Sequence, residues 1–268
     1  MTHEKQTPGR PKCFPSPSGG RAPQSGGLGG ALQALTLDLD DTLWPVWPAI
    51  RRAEAGLQDW LHHHAPATAA LHDMKAMRAL REAVVLDRPD WQHDLSALRQ
   101  ESIRRALLAA GDDPALAEPA FEAFFTERHR VDLFDDVLPA LERLAARWPI
   151  VALSNGNADV KRVPGLGHLF HGAVSARELG LSKPHPATFA EACRRAGATP
   201  DKTLHIGDDV AMDVDGALDA GLQAAWVCRR GSHGVPAGGV PSLPPATPRG
   251  QPHHVVSTLT ELADRLQA

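Results

Sequence analysis

The segment Asp38-Leu39-Asp40-Asp41-Thr42 directly follows an apolar run. Side chains two apart in a strand share a face, so Asp38 and Asp40 can converge at a strand end. Two carboxylates held together repel unless a cation or a proton intervenes. The pair therefore suits a metal site, an acid/base pair, or both. Taken alone, the segment is equally an Asp-rich turn capping a helix, because Asp favours turns and N-caps.

Three further clusters follow in chain order. Ser154-Asn155-Gly156-Asn157 closes a second apolar run. A hydroxyl with loop N–H groups can hold phosphoryl oxygens, although in isolation a polar strand-to-helix turn explains it as well. Ser182-Lys183-Pro184 sets a lysine just before a helical pattern, where a lone lysine is ordinarily a solvated surface group. Gly207-Asp208-Asp209, with Asp213 and Asp215 beyond, places four acids in eight positions. N-capping accounts for one of them. The excess at a strand end suggests a hard cation with oxygen ligands, hence Mg²⁺.

The elements that must position these groups are short apolar runs bounded by Gly, Pro or Asn. Ala34–Asp40, Ile150–Ser154, Thr203–Ile206 and Ala224–Val227 read as strands, with Val255–Val256 as a short last one. Helical patterns separate them at roughly 136–147, 186–196 and 211–220. Alternation of this kind implies an α/β fold, a Rossmann-like parallel sheet with helices on both faces. Residues 49–130 break the rhythm with four helical patterns, interrupted near Pro66, Pro89, Pro114 and Pro119, and no strand. This segment reads as a helical cap inserted after the first strand, over the strand ends where open α/β sheets bind ligands. Residues 31–48 and 131–268 then form the catalytic core. Residues 1–30, rich in Pro, Gly and Ser, read as a disordered tail, and 231–252 is a second Pro/Gly-rich stretch.

The 268 residues suffice for such a core with an insert, and 43% are hydrophobic. A formal net charge of -4 and the absence of Tyr argue against a nucleic-acid partner. No run of 18 apolar residues is present, so no membrane span is expected. The cysteines, Cys13, Cys193 and Cys228, are scattered and odd in number. That pattern fits a cytoplasmic location rather than a disulfide framework.

The four clusters in this order resemble the haloacid dehalogenase (HAD) superfamily of phosphotransferases. Its strand-end DxDxT, strand-end Ser/Thr, Lys and acidic GDxxxxD stand here as DLDDT at 38–42, Ser154, Lys183 and GDDVAMD at 207–213. The resemblance covers about residues 32–268 and includes the class with a helical cap after the first motif. LTLDLDDTLW, RWPIVALSNGNADV and LHIGDDVAMDVDGALDAGLQAAWV are similar to bacterial pyrimidine phosphatases of riboflavin biosynthesis, some of which also dephosphorylate FMN.

The resemblance implies a Mg²⁺-dependent phosphatase acting on a small phosphorylated metabolite through an aspartyl-phosphate. Asp38 would be the nucleophile, and Asp40 the acid and then the base. Thr42, Ser154, Asn155 and Lys183 would bind the phosphoryl group. Asp38, Asp208 and the Asp40 backbone carbonyl would hold the metal. Asp213 would orient Lys183 or a metal-bound water. Asp209 is left between a place near the metal and a helix cap.

Two rivals carry related chemistry. A dehalogenase on the same fold needs no Mg²⁺ and no acid at position 40. A phospho-receiver signalling module is shorter and lacks a cap. Among other candidates, His62-His63-His64 point around a helix and cannot converge on a metal, so a solvated helix end is expected. Trp44, Pro45, Trp47 and Pro48 either wall the substrate pocket or pack the cap, and Cys193 reads as core.

Overall fold

The computed structural model describes residues 32–229 and 252–267. The tail read at 1–30, and the Pro/Gly-rich stretch read at 231–252 except for residue 252, lie outside the described residues. The centre is a six-stranded, wholly parallel sheet in the order β3-β2-β1-β4-β5-β6. Its strands are β1 (Ala34–Leu37), β2 (Ile150–Ser154), β3 (Gly172–Ser175), β4 (Thr203–Gly207), β5 (Gln223–Val227) and β6 (His254–Val256). This is the order of a doubly wound sheet. The chain reverses direction between β1 and β4, which opens a crevice at their carboxyl ends.

Alternation along the buried strands feeds two faces. Leu35, Leu37, Ile150, Ala152, Leu204 and Ile206 pack with α6 (Val137–Ala145) and α10 (Leu259–Gln267). Ala34, Val151, Leu153, Val174 and Ala224 pack on the other side with α8 (Pro186–Ala196) and the turn leading to α9 (Gly216–Asp219). Cys193 is in this second layer, as its helical setting implies. The strand β3, followed by α7 (Ala176–Leu179), was not legible: Gly172-Ala173-Val174-Ser175 has too little apolar pattern to stand out. The expected 211–220 helix is instead a π-turn, Val210–Asp215, running into α9.

Among the described residues, five α-helices lie between β1 and α6. They are α1 (Val46–His64), α2 (Pro66–Leu71), α3 (Met74–Asp87), α4 (Leu95–Ala110) and α5 (Ala117–Arg128). That is one more than the periodicity shows, because the six residues of α2 are too few to display a period. These helices share a cluster of their own. Leu57, Leu61, Met77, Ile103, Leu107, Phe121 and Phe124 meet there, separate from both sheet faces. Asp73 and Asp94 accept from backbone N–H groups at the starts of α3 and α4, and Gly111 at φ 79° ends α4. Among the described residues no helix is long and apolar enough to cross a membrane.

Candidate active site

The strand β1 ends one residue earlier than its last sheet hydrogen bond. The Asp38 N–H still donates to the Ile206 carbonyl at 2.9 Å, and the chain then turns away. Asp41 takes φ 59°, a left-handed conformation that Asp tolerates better than most residues, and its carboxylate accepts from the Val46 N–H at 3.0 Å. The sequence reading extended the strand to Asp40. In the fold, the turn separates the partners of the two carboxyls.

Asp38 is buried and its Oδ1 accepts from Lys183 Nζ at 2.5 Å. The same ammonium donates to Asp213 Oδ1 at 2.6 Å. Thr42 Oγ1 lies 3.0 Å from Asp208 Oδ1 and 3.4 Å from Asp38 Oδ2, so its single proton serves one carboxylate at a time. Asp38, Asp208 and Asp213 present oxygens that all lie within 4.8 Å of one another. Three carboxylates face one ammonium here. Burial, opposed by Lys183 and assisted by Asp213 and Asp208, pushes the Asp38 carboxyl well above its ordinary range. Burial and Asp213 push Asp208 up to about 7. An all-oxygen donor set with excess negative charge fits a hard divalent cation.

Asp213 is engaged through both oxygens within the protein. Besides Lys183, its Oδ1 accepts from His205 Nε2 at 3.0 Å, and its Oδ2 accepts from the Asp209 N–H at 3.0 Å. Burial opposes its charge, yet Lys183 and His205 hold its pKa below the ordinary value. Burial lowers the His205 pKa. In the neutral ring, Nε2 donates to Asp213 and Nδ1 accepts from the Thr36 hydroxyl, 2.9 Å away. Gly207 makes this approach possible, since a Cβ there would stand 2.2 Å from Asp213 Cγ. Asp209 is exposed and accepts from the N–H groups of Ala211 and Met212 at 2.8 Å each, the geometry of a cap.

The carboxyl of Asp40 has different neighbours. Trp44 Nε1 donates to its Oδ1 at 2.9 Å, and Arg128 Nη2 donates to both oxygens at 2.6 and 2.7 Å. Trp44 is fully buried and so both packs the core and steers Asp40, whereas Trp47 is 56% exposed. From β2, Ser154 Oγ accepts from the Gly156 N–H at 3.0 Å. Gly156 lies so close to Asp40 that a Cβ would meet Asp40 Oδ2 at 2.6 Å and Ser154 Oγ at 3.3 Å. The Asn155 side chain turns to the backbone of Lys183, accepting from its N–H at 2.7 Å and donating to its carbonyl at 3.0 Å. A cleft of about 540 Å³ opens beside Gly156 and Asn157, bordered by Ser96 of α4.

Sequence reasoning missed Arg128, Arg229, His205 and Thr36. Arg229, just past β5, donates through Nε and Nη2 to the Thr42 carbonyl at 3.1 and 2.8 Å and through Nη1 to Asp136 at 2.6 Å. His205 and Thr36 left a signal, a polar residue inside a fully buried strand. The arginines left none. The three histidines at the end of α1 are exposed, and each ring Nδ1 hydrogen-bonds the carbonyl four residues back.

Fold and site together define a doubly wound α/β enzyme with a carboxylate–lysine centre at its topological switch point. The chain belongs to the haloacid dehalogenase-like hydrolase family, which it matches over residues 32–221. It is 36% identical over 202 residues to 5-amino-6-(5-phospho-D-ribitylamino)uracil phosphatase YigB of Escherichia coli (strain K12), covering 74% of this chain and 84% of that protein. It is 31% identical over 222 residues to the phosphoserine phosphatase of Thermus thermophilus, covering 74% and 89%. The crystal structure of 2-haloacid dehalogenase from Pseudomonas syringae pv. Tomato DC3000 superposes with a TM-score of 0.77 at 37% identity, covering 88% of this chain and 98% of that one.

Proposed function

We propose that this chain is a phosphoric monoester hydrolase that works through an aspartyl-phosphate on Asp38 and requires Mg²⁺. The observation that carries the reading is the convergence of Asp38 and Asp208, just past adjacent strand ends, with Lys183 from the loop before α8 and the Ser154 hydroxyl on the neighbouring strand. An anionic nucleophile must meet an anionic ester, so positive charge at that point is the first requirement of the chemistry.

Asp38 attacks phosphorus, the P–O bond to the leaving group breaks, and the phosphoryl group passes to the carboxylate. Lys183, held between Asp38 and Asp213, offsets the charge gathered on the phosphoryl oxygens. Ser154 and loop N–H groups bind those oxygens. Asp40 gives a proton to the leaving alkoxide and later takes one from the water that cleaves the acyl phosphate. The Asp38 and Asp208 carboxylates, with the Asp40 backbone carbonyl, would hold Mg²⁺, which screens nucleophile from substrate. Asp213, already engaged by Lys183, His205 and the Asp209 N–H, positions Lys183. Residues 49–130 act as the cap over this centre. YigB's name motivates the substrate, a phosphorylated ribitylamino-pyrimidine, with FMN as a second candidate.

The likeness to the Pseudomonas syringae 2-haloacid dehalogenase favours a second reading, hydrolytic dehalogenation. That chemistry needs neither an acid at position 40 nor a divalent cation. This chain has an Asp40 clasped by two donors and a trio of acids, which weighs for the phosphatase. Phosphate release from p-nitrophenyl phosphate and FMN with Mg²⁺, run beside halide release from 2-chloropropionate, separates the two. Asp38→Asn should abolish phosphate release while circular dichroism shows an intact fold. A folded Asp38→Asn variant with near-normal release would overturn the covalent route.

A further inference from the structure

Arg128, the last residue of α5, is 1% exposed, yet only its Nη2 is used, on Asp40. Its Nε and Nη1 are buried and find no acceptor among the described residues. A buried guanidinium with two idle donors is costly unless something else supplies oxygen. A second arginine adjoins it. Arg99 of α4 is 8% exposed and lies with its guanidinium carbon 3.7 Å from the centroid of Phe124, which is one helical turn before Arg128 on the same face of α5. Burial, Arg81 and Arg128 all press its pKa down, to about 9.

The cluster is short of negative charge. Glu54 is the carboxylate facing Arg99, at 3.7 Å, and it also pairs with Arg81 at 3.4 Å. Among the described residues, the other acid paired with these arginines is Asp40, bound by Arg128. Three guanidinium groups thus face two carboxylates. The position is equally specific. Ser96, one turn before Arg99 on the same face of α4, meets the Asn157 side chain at 3.5 Å, in the loop that carries Ser154. Arg128 thus reaches the catalytic loop at Asp40, and Arg99 sits one turn beyond the Ser96 contact on α4.

We propose that Arg99 and Arg128, flanking Phe124, form a subsite for an oxygen acceptor on the leaving group, a carbonyl or a carboxylate, while the phosphoryl group lies at Asp38. The proposal rests on the phosphatase reading. A leaving group bearing such an oxygen would meet the idle donors of Arg128 and the under-paired charge of Arg99. One lacking it would leave both buried and unsatisfied, and this is how a polar site rejects the wrong ligand.

The test measures kcat/KM for FMN, with carbonyl acceptors, 3-phosphoglycerate, with a carboxylate, and glycerol 1-phosphate, with neither. The proteins are the wild type, Arg99→Met, Arg99→Lys and Arg128→Lys. The wild type should prefer at least one acceptor-bearing ester over glycerol 1-phosphate. Which of the two is preferred tells carbonyl from carboxylate. That preference should fall about tenfold or more in Arg99→Met, mostly through KM, and recover in part in Arg99→Lys. Arg128→Lys touches Asp40 and will slow every ester, so its readout is the ratio alone. If Arg99→Met does not fold, the two lysine variants carry the comparison. A wild type without preference, or ratios unchanged by the variants, overturns the subsite while phosphate release still stands. No phosphate release from any ester overturns the hydrolase reading and the subsite with it.

Discussion

The Asn155 side chain clasps the main chain of Lys183 from both sides, accepting from its N–H at 2.7 Å and donating to its carbonyl at 3.0 Å. The lysine that reaches Asp38 is thus anchored by the loop that carries Ser154. Asn155→Ala should cost about 1–3 kcal/mol of stability, because it leaves partly buried backbone groups without their hydrogen bonds. It should lower kcat on the order of 10²-fold by letting Nζ drift. Thermal melts and steady-state kinetics check both. A variant that loses stability but keeps kcat would show that Lys183 is placed by its ion pairs alone.

Metal addition gives a direct readout of the acidic trio. Saturating Mg²⁺ binding only the folded state stabilises by about 3 kcal/mol at a hundredfold excess over Kd. For a domain of this size that corresponds to a rise in Tm of roughly 5–10 °C. Asp208→Asn should remove the rise, whereas Asp209→Asn should keep it, since Asp209 caps the following turn. Equal loss in both variants would place Asp209 at the metal.

Gly156→Ala tests the placement of Asp40. The added carbon would stand 2.6 Å from Asp40 Oδ2, so the carboxyl must swing away. General acid–base groups contribute about 10²–10⁴-fold. The loss should therefore approach 10²-fold for an alkyl phosphate and be much smaller for p-nitrophenyl phosphate, whose leaving group needs no proton. Equal losses for both esters would mean that the methyl group blocks the phosphoryl site instead.

Acid should weaken the fold through His129. Its Nε2 accepts from the Asp159 N–H at 2.8 Å, so Nδ1 carries the proton and donates to the Phe125 carbonyl at 2.6 Å. Burial lowers its pKa below 6.5, with Arg128 and Arg162 adding to the effect. The folded state then binds fewer protons than the unfolded one. The contribution is present above pH 6.5 and is lost as pH falls through the folded value. Melts from pH 8 to 5 should show Tm falling on the acid side, with a shallower fall in His129→Gln. Parallel curves would exclude His129 as a source.

Most of the sheet was readable because a parallel strand buried on both faces must be a short apolar run, as Ile150–Ser154 and Thr203–Gly207 are. The four chemical clusters were readable for a related reason. Three of them sit at the end of such a run, where a polar side chain has no packing role and stands out, and the fourth, Ser182-Lys183-Pro184, stands just before α8. The strand β3 escaped because Gly172-Ala173-Val174-Ser175 is held in the sheet by pairing with β2 and not by its own pattern.

By itself the sequence determined which groups could react and where they would stand: Asp38, Ser154 and Asp208 are legible at the ends of apolar runs, and Lys183 just before a helical pattern. Only the tertiary structure decided how each is held. Asp40 is clasped by Arg128 from 88 residues away, the Thr42 carbonyl by Arg229 from 187 residues away, and Lys183 by Asn155 from 28. A surface arginine and a buried one read alike in a sequence. Its meaning comes from burial and from the acceptor it meets, and both are set by how distant elements pack together.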